Sequence, residues 1–244
     1  MTREQYIRAY DRTVHRYEKL YTPRLQRALR SQIQDYIDGK DVTSEPIAAV
    51  LQPLINSAGV SWARQSNAYI KSRRKAAGQI GFNQRIVDLL RTYYGTDFLN
   101  VIENITQTTK DQIAKIVSDG QVQGLGIDEI TRNLKMPELT MYRARLIART
   151  ETIAAANAAA VLNVQDLGYT FQKEWIAAHD SRTRSDHWNK DKSKSLDGQI
   201  VGLNEPFSIV DKNGITQKMM QPGDKSLGAS PAQLCNCRCA VAFI

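Results

Sequence analysis

The run Arg149-Thr150-Glu151-Thr152-Ile153-Ala154-Ala155-Ala156-Asn157-Ala158-Ala159-Ala160 constrains the fold more than any other stretch. Alanine has the highest helix propensity, and its small side chain lets neighbouring backbones come close. A rod of this kind suits a helix buried on more than one side. The spacing predicts that it opens at Thr140 and ends near Gly168. Its polar residues Arg143, Arg145, Arg149, Glu151 and Asn157 then serve to pin neighbouring loops to it. Arg149 and Glu151 stand two apart, so they face different directions and need separate partners.

Beyond Gly168 the apolar period changes from 3.6 to 2. Tyr169, Phe171, Trp175 and Ala177 occupy odd positions, with Lys173 the exception, and predict a strand. Residues 199–201 and 209–210 predict short strands, 211–214 (Asp-Lys-Asn-Gly) a tight primed hairpin turn, and 237–244 a buried closing strand. Before residue 137 the pattern is helical. Thr2-Arg3-Glu4-Gln5 forms a capping box ahead of a stripe of Tyr6, Tyr10, Val14, Tyr17 and Tyr21. That stripe fits either a core under the next helix or a face for a partner. A second helix is expected from Thr22-Pro23 to Gly39, a third over 46–56 with an internal Pro53, and a fourth over 62–77. A loose region marked by Gly78, Gly81 and Gly95 follows. Then come a long helix from Phe98 to about Gly120 and a short one stopping near Pro137. The fold class is therefore α+β. A mostly helical region spans 1–137, and a small α+β domain over 138–244 combines a long helix with short antiparallel strands.

Charge is unevenly placed. Residues 1–100 carry 16 Lys/Arg against 9 Asp/Glu, whereas 101–244 carry 17 against 16. A basic half points to an acidic partner, nucleic acid or protein, or to solvated helix faces. Lys71, Arg73, Arg74 and Lys75 are candidate contacts to DNA phosphates, or else a helix end favoured by the macrodipole. No apolar run approaches the ~20 residues needed to span a bilayer. The polar opening residues argue against a secretory signal, so the chain is expected to stay in a cytoplasm or in something assembled there.

Cys235, Cys237 and Cys239 alternate, which on an extended strand places them on one face. Without export, such thiols are buried or metal-bound rather than oxidised. Cys237 and Cys239 with His187 and Asp180 would suit a structural zinc. They equally suit a reading as small core residues beside a hydrogen-bonded turn of Asp180, Arg184 and His187. His179-Asp180 with His187 would serve a metal-dependent nuclease. No phosphate loop, dinucleotide fingerprint or nucleophile elbow accompanies them.

Taken in order, Arg-Leu-Ile-Ala-Arg-Thr-Glu at 145–151, Asn157, Trp175, Asp180, Arg184, His187, Leu-Asp-Gly at 196–198, Phe207 and Asn-Cys-Arg-Cys at 236–239 form an ordered set. It resembles the phage Mu F-type minor head proteins, the phage head-morphogenesis family. The resemblance covers about residues 137–244, and Cys235 departs from it, standing where the family more usually has an aliphatic residue. It implies a minor head protein, not an enzyme, inside a tailed-phage procapsid. Such a protein binds the portal and other capsid or scaffold components, assists assembly, DNA packaging or ejection, and meets double-stranded DNA but no membrane. The setting is the virion interior, and the host cytoplasm during assembly. Arg149, Glu151, Asn157, Asp180, Arg184, Asp197 and Arg238, with His187, are then a polar network that braces loops. The alternatives are a metal-dependent nuclease and a plain DNA-binding module.

Overall fold

The computed structural model of the chain describes residues 2–71, 81–95, 97–168 and 170–244. Among the described residues the fold is α+β, with six helices packed on one another before a small antiparallel sheet. Helix α1 spans Arg3–Ile37, and its capping box forms as expected. The Gln5 amide donates to Thr2 Oγ1 at 3.2 Å, and the Thr2 amide donates to Gln5 Oε1 at 2.9 Å.

The expected break at Thr22-Pro23 is absent, because α1 runs straight through Pro23. An interior proline costs roughly 3 kcal/mol. Here it stands on the exposed side, where water reaches the Lys19 carbonyl that it leaves without a partner. On the opposite face Tyr17, Tyr21, Leu25 and Leu29 are buried. Each such side chain contributes about 2 kcal/mol, so the buried stripe outweighs the proline. Helix α2, Glu45–Lys71, carries Pro53 on its exposed face in the same way. It also runs on through residues 57–61 and so joins what the sequence predicts as a third and a fourth helix. The residues predicted helical at 72–77, and Arg73, Arg74 and Lys75 with them, lie outside the described residues.

Helix α3, Phe82–Tyr94, occupies the region predicted as loose. Its Phe82, Ile86, Leu90 and Tyr94 recur at steps of four, and the glycines Gly81 and Gly95 are its two caps. Helices α4 (Asp97–Val122) and α5 (Ile127–Leu134) match expectation. Helix α6, Pro137–Asp166, starts a turn earlier than Thr140, with proline at its first turn.

The alanine rod of α6 is the axis of the molecule, touched by α1, α2, α3 and the last strand. Close approach is visible at Gly59 of α2, where an added Cβ would stand 2.4 Å from Leu90 Cδ1 and 3.2 Å from Ala159 Cβ. It recurs at Gly223, whose added Cβ would meet the Ala154 Cα at 2.8 Å. Larger side chains on α6 would hold both segments off.

The sheet has the order β2-β1-β5, all antiparallel, from β1 (Gln172–Ile176), β2 (Ile200–Gly202) and β5 (Ala240–Phe243). Trp175 pairs with Val241, and Glu174 with both Ala242 and Ile200. Tyr169 lies outside the described residues. Strands β3 (Phe207–Val210) and β4 (Thr216–Met219) form a separate hairpin. Its turn is not the primed type expected. Asp211 accepts from the Asn213 and Ile215 amides, and of the turn residues Gly214 has positive φ (+78°) whereas Asn213 does not. A type I turn with a left-handed glycine therefore closes a three-residue loop.

A short helix α7 (Pro231–Leu234) precedes β5. Cys235 ends α7 and is exposed, and Asn236 takes φ +57°. That left-handed residue interrupts the strand alternation, so Cys235 does not share a face with Cys237 and Cys239.

The largest core crosses residue 137. It unites Tyr6, Tyr10 and Val14 of α1 and Trp62, Tyr69 and Ile70 of α2 with Trp175, Phe207 and the whole of β5. The tyrosine stripe is thus core-facing, and it also has a polar task. Strand β5 is a sheet edge whose outward groups need partners. Tyr6 Oη donates to the Val241 carbonyl at 2.8 Å, and Tyr10 Oη donates to the Cys239 carbonyl at 2.9 Å. Among the described residues no helix is long and apolar enough to cross a membrane.

Candidate functional site

The polar residues singled out from the sequence do not converge on one cleft. They tie helices, loops and the edge strand to one another, Arg143 of α6 for its part donating to Thr109 and to the Ile105 carbonyl of α4. Arg149 on α6 donates through Nε and Nη2 to Glu18 of α1, both at 2.8 Å, and through Nη1 to Asn236 Oδ1 at 2.6 Å. Arg145 adds a bond from Nε to Glu18 at 2.6 Å. Burial alone would raise the Glu18 pKa, but the two guanidiniums outweigh it and hold the carboxyl below its usual range. The Asn236 amide donates to Thr150 Oγ1 at 2.9 Å, which fixes the left-handed residue to α6.

Two positions along, Glu151 takes the separate partner its direction requires, Lys225 Nζ at 3.0 Å. Asn157 is fully buried and reaches the edge strand. Its Oδ1 accepts from the Val241 amide at 2.9 Å, and its Nδ2 donates to Tyr10 Oη at 2.8 Å and the Cys239 carbonyl at 3.1 Å.

Asp180 forms a two-pronged ion pair with Arg238 and accepts from the Arg182 amide. The Arg238 guanidinium holds its carboxyl well below the usual range. Arg184 donates to the Cys235 carbonyl. Asp197 accepts from the Ala177 amide at 3.0 Å and also meets His179 Nε2 at 2.9 Å and Lys192 Nζ at 3.0 Å. The nuclease arrangement is therefore not assembled: His179 faces Asp197, Asp180 faces Arg238, and His187 faces sulfur.

That last contact is the densest chemistry described. His187, Cys237 and Cys239 are each at most 2% exposed, and their ligand-type atoms lie within 4.8 Å of one another. His187 Nδ1 stands 3.6 Å from Cys237 Sγ and 3.4 Å from Cys239 Sγ. The Cys239 thiol, by hydrogen bonding, and then the imidazole draw the Cys237 pKa down, whereas burial pushes Cys239 up. Asp180 is turned away to Arg238 and does not join the cluster.

Several residues in this machinery escape a reading of the sequence. Glu18 has a signal, for it falls four after Val14 and seven before Leu25 on the buried stripe of α1. Gln233, which bonds His187 Nε2 at 2.7 Å, has none. Lys173, the odd member of its strand, is fully buried, with Nζ donating to the Met220 carbonyl at 2.7 Å and lying 5.4 Å from the Phe207 ring centre. Burial draws its pKa down to about 8.

Comparison with known proteins bears on this arrangement. The minor head protein GP7 of Bacillus phage SPP1 is 29% identical over 137 residues, covering 55% of this chain and 40% of that protein. The chain thus matches about two-fifths of that relative's length. No solved structure matches. The family described as Phage Mu protein F like protein matches residues 111–242, from the middle of α4 to β5, and so takes in α5, the alanine rod, the braces that reach residues 235–241 from α6 and from the 180–198 loop, and the thiol–imidazole cluster, but not Tyr6 and Tyr10. Since that match extends over more than half of its length, the chain belongs to the Phage Mu protein F like family.

Proposed function

We propose that this chain is a minor head protein of a tailed phage, carried inside the procapsid, where it binds the portal and assists assembly, DNA packaging or ejection. The family and the SPP1 relative support the setting. The observation that carries a structural rather than catalytic role is the use of the polar residues. Arg149, Glu151, Asn157, Asp180, Arg184, Asp197 and Arg238 spend their hydrogen bonds on loops and strand edges, which is the work of a scaffold. Substrate turnover would need some of them free and convergent.

For the portal contact the best surface is a groove of about 930 Å³ between α4 and α6, lined among others by Val101, Ile105, Leu139, Tyr142, Ile147 and Leu234. Tyr142 is 70% exposed at its mouth, and aromatic anchors of this kind are enriched in interfaces. The test is co-expression with the portal protein of the same phage, followed by affinity capture and sedimentation. Wild type is expected to travel with the portal, and Leu139→Asp/Tyr142→Asp to lose it with an unchanged melting curve. A wild-type chain that never associates refutes the portal role, and a variant that still associates refutes the groove.

The charge of the first hundred residues favours direct contact with packaged DNA as a second activity. Its signature is duplex binding that falls steeply with salt. It should weaken when Lys71, Arg73, Arg74 and Lys75 are replaced by alanine, and binding unaffected by salt would refute it.

A further inference from the structure

We propose that His187 Nδ1, Cys237 Sγ and Cys239 Sγ bind one zinc ion, a closed structural centre that fastens the last strand to the 180–198 loop and to α7. The first support is the histidine's tautomer, which a chain of hydrogen bonds fixes. Gln233 Nε2 donates to Asp186, a carboxylate that only accepts. The Gln233 oxygen therefore faces His187, and the Nε2 of His187 at 2.7 Å must carry the proton. Nδ1 is left with a bare lone pair aimed at two sulfurs. A metal-ligating histidine tied at its other nitrogen in this way is the usual second-layer arrangement.

The second support is distance. With Zn–S near 2.3 Å and Zn–N near 2.0 Å, a tetrahedral angle puts nitrogen about 3.5 Å from sulfur. The observed separations are 3.6 and 3.4 Å. Both nitrogen–sulfur separations are therefore those that an ion shared by the three atoms requires.

The third support is what points at the sulfurs. The Cys239 amide donates to Cys237 Sγ at 3.4 Å. The Trp175 ring packs edge-on against His187, 5.4 Å between centroids, and its indole N–H is buried with no formed hydrogen bond. An N–H donated to sulfur favours its thiolate, and a cation beside the pair is what would let both buried sulfurs ionise. Two sulfurs and an imidazole select a borderline-soft ion such as zinc over magnesium or calcium.

Burial decides the kind of centre. With all three ligands at most 2% exposed, no substrate reaches the ion. Among the described residues no fourth His, Cys, Asp or Glu joins the group, so the fourth position falls to a ligand other than these side chains. Cys235 is exposed and takes no part.

The test uses the full chain, purified under reducing conditions without chelator and subjected to elemental analysis. One zinc per chain is expected in wild type and in Cys235→Ser, and below about a tenth in Cys237→Ser/Cys239→Ser. Because the double variant could fail to fold, wild type is also loaded with cobalt(II) after removal of zinc. Thiolate-to-cobalt charge-transfer absorption and intense tetrahedral d–d bands are expected. Folded wild-type protein that contains no zinc and takes up none from zinc chloride overturns the proposal. So does zinc retained by the double variant, or a cobalt spectrum without thiolate bands.

Discussion

Replacing Asn157 with leucine tests how the sheet edge is held. The side chains are similar in size, so packing changes little and the polar loss dominates. The Val241 amide is buried and donates to Asn157 Oδ1 at 2.9 Å. In the variant no water reaches it, and an orphaned buried donor costs about 1–3 kcal/mol. The Nδ2 bonds to Tyr10 Oη and the Cys239 carbonyl also vanish, but those two groups keep each other at 2.9 Å. Their loss therefore adds only about 1 kcal/mol. The sum, about 3 kcal/mol, predicts a fall in Tm of roughly 6–12 °C for a chain of this length. Tyr10→Phe is the internal control. The Cys239 carbonyl still accepts from Asn157, so about 1 kcal/mol is expected. Urea unfolding followed by circular dichroism should show a lower midpoint at constant slope. Hydrogen exchange should show the Val241 amide losing protection. If Asn157→Leu lies within about 0.5 kcal/mol of Tyr10→Phe, the amide of Asn157 is not what holds the edge.

Other perturbations read other braces. Glu18→Gln leaves Arg149 and Arg145 without their carboxylate and should cost about 3 kcal/mol at neutral pH. Because the folded Glu18 pKa is lowered, its contribution is present above the usual carboxylate range and lost as pH falls through the folded value. The gap between wild type and variant in chemical denaturation should accordingly close in acid. Lys173 has a folded pKa near 8 against an ordinary 10.5, so the unfolded chain binds more protons between those values. Wild type should therefore gain roughly 1–3 kcal/mol relative to Lys173→Met on going from pH 8 to 10.5, and parallel pH curves would contradict this. Gly223→Ala combines φ +87° with a Cβ 2.8 Å from Ala154 Cα and should lose at least about 2 kcal/mol in a thermal melt. A fragment of residues 138–244 should be soluble only as aggregate, since it uncovers the edge of β5 that Tyr6 and Tyr10 occupy. A cooperative melt of that fragment would count against a shared core.

Periodicity made the helix–strand division legible, and the alanine rod announced its own central place. Two kinds of feature stayed hidden. Pro23 looks like a helix break because the sequence shows the missing amide but not the solvent beside the freed carbonyl, whereas Pro53 is internal to its helix as expected. Helix α3 was obscured by its own caps, Gly81 and Gly95, which resemble loop glycines when the steps from Phe82 to Tyr94 are not weighed. Of the candidate site, the participation of His187, Cys237 and Cys239 in one cluster was legible from residue types. That Asp180 belongs to Arg238 instead was not, because a carboxylate's partner depends on which way the loop turns. The left-handed His179 directly before Asp180 sets that turn, and nothing in its one-letter neighbourhood demands φ +54°.

The braces share a destination. Tyr6 and Tyr10 of α1, Arg149 and Asn157 of α6, Asp180, Arg184 and His187 of the long loop all end on residues 235–241. The segment so held lies at the far end of the sequence from α1, and its partners stand up to 235 residues away. Contacts of such separation repay their loop-closure entropy only after α1 has docked on α6. Strand β5 is therefore expected to dock after the helices, and β1, which pairs with it, to gain its second neighbour at that step. A bond among side chains already gathered there, such as an ion between Cys237, Cys239 and His187, would act on a segment whose alternative is an open edge. The helical half of the chain is then as much a part of the sheet's integrity as the strands are.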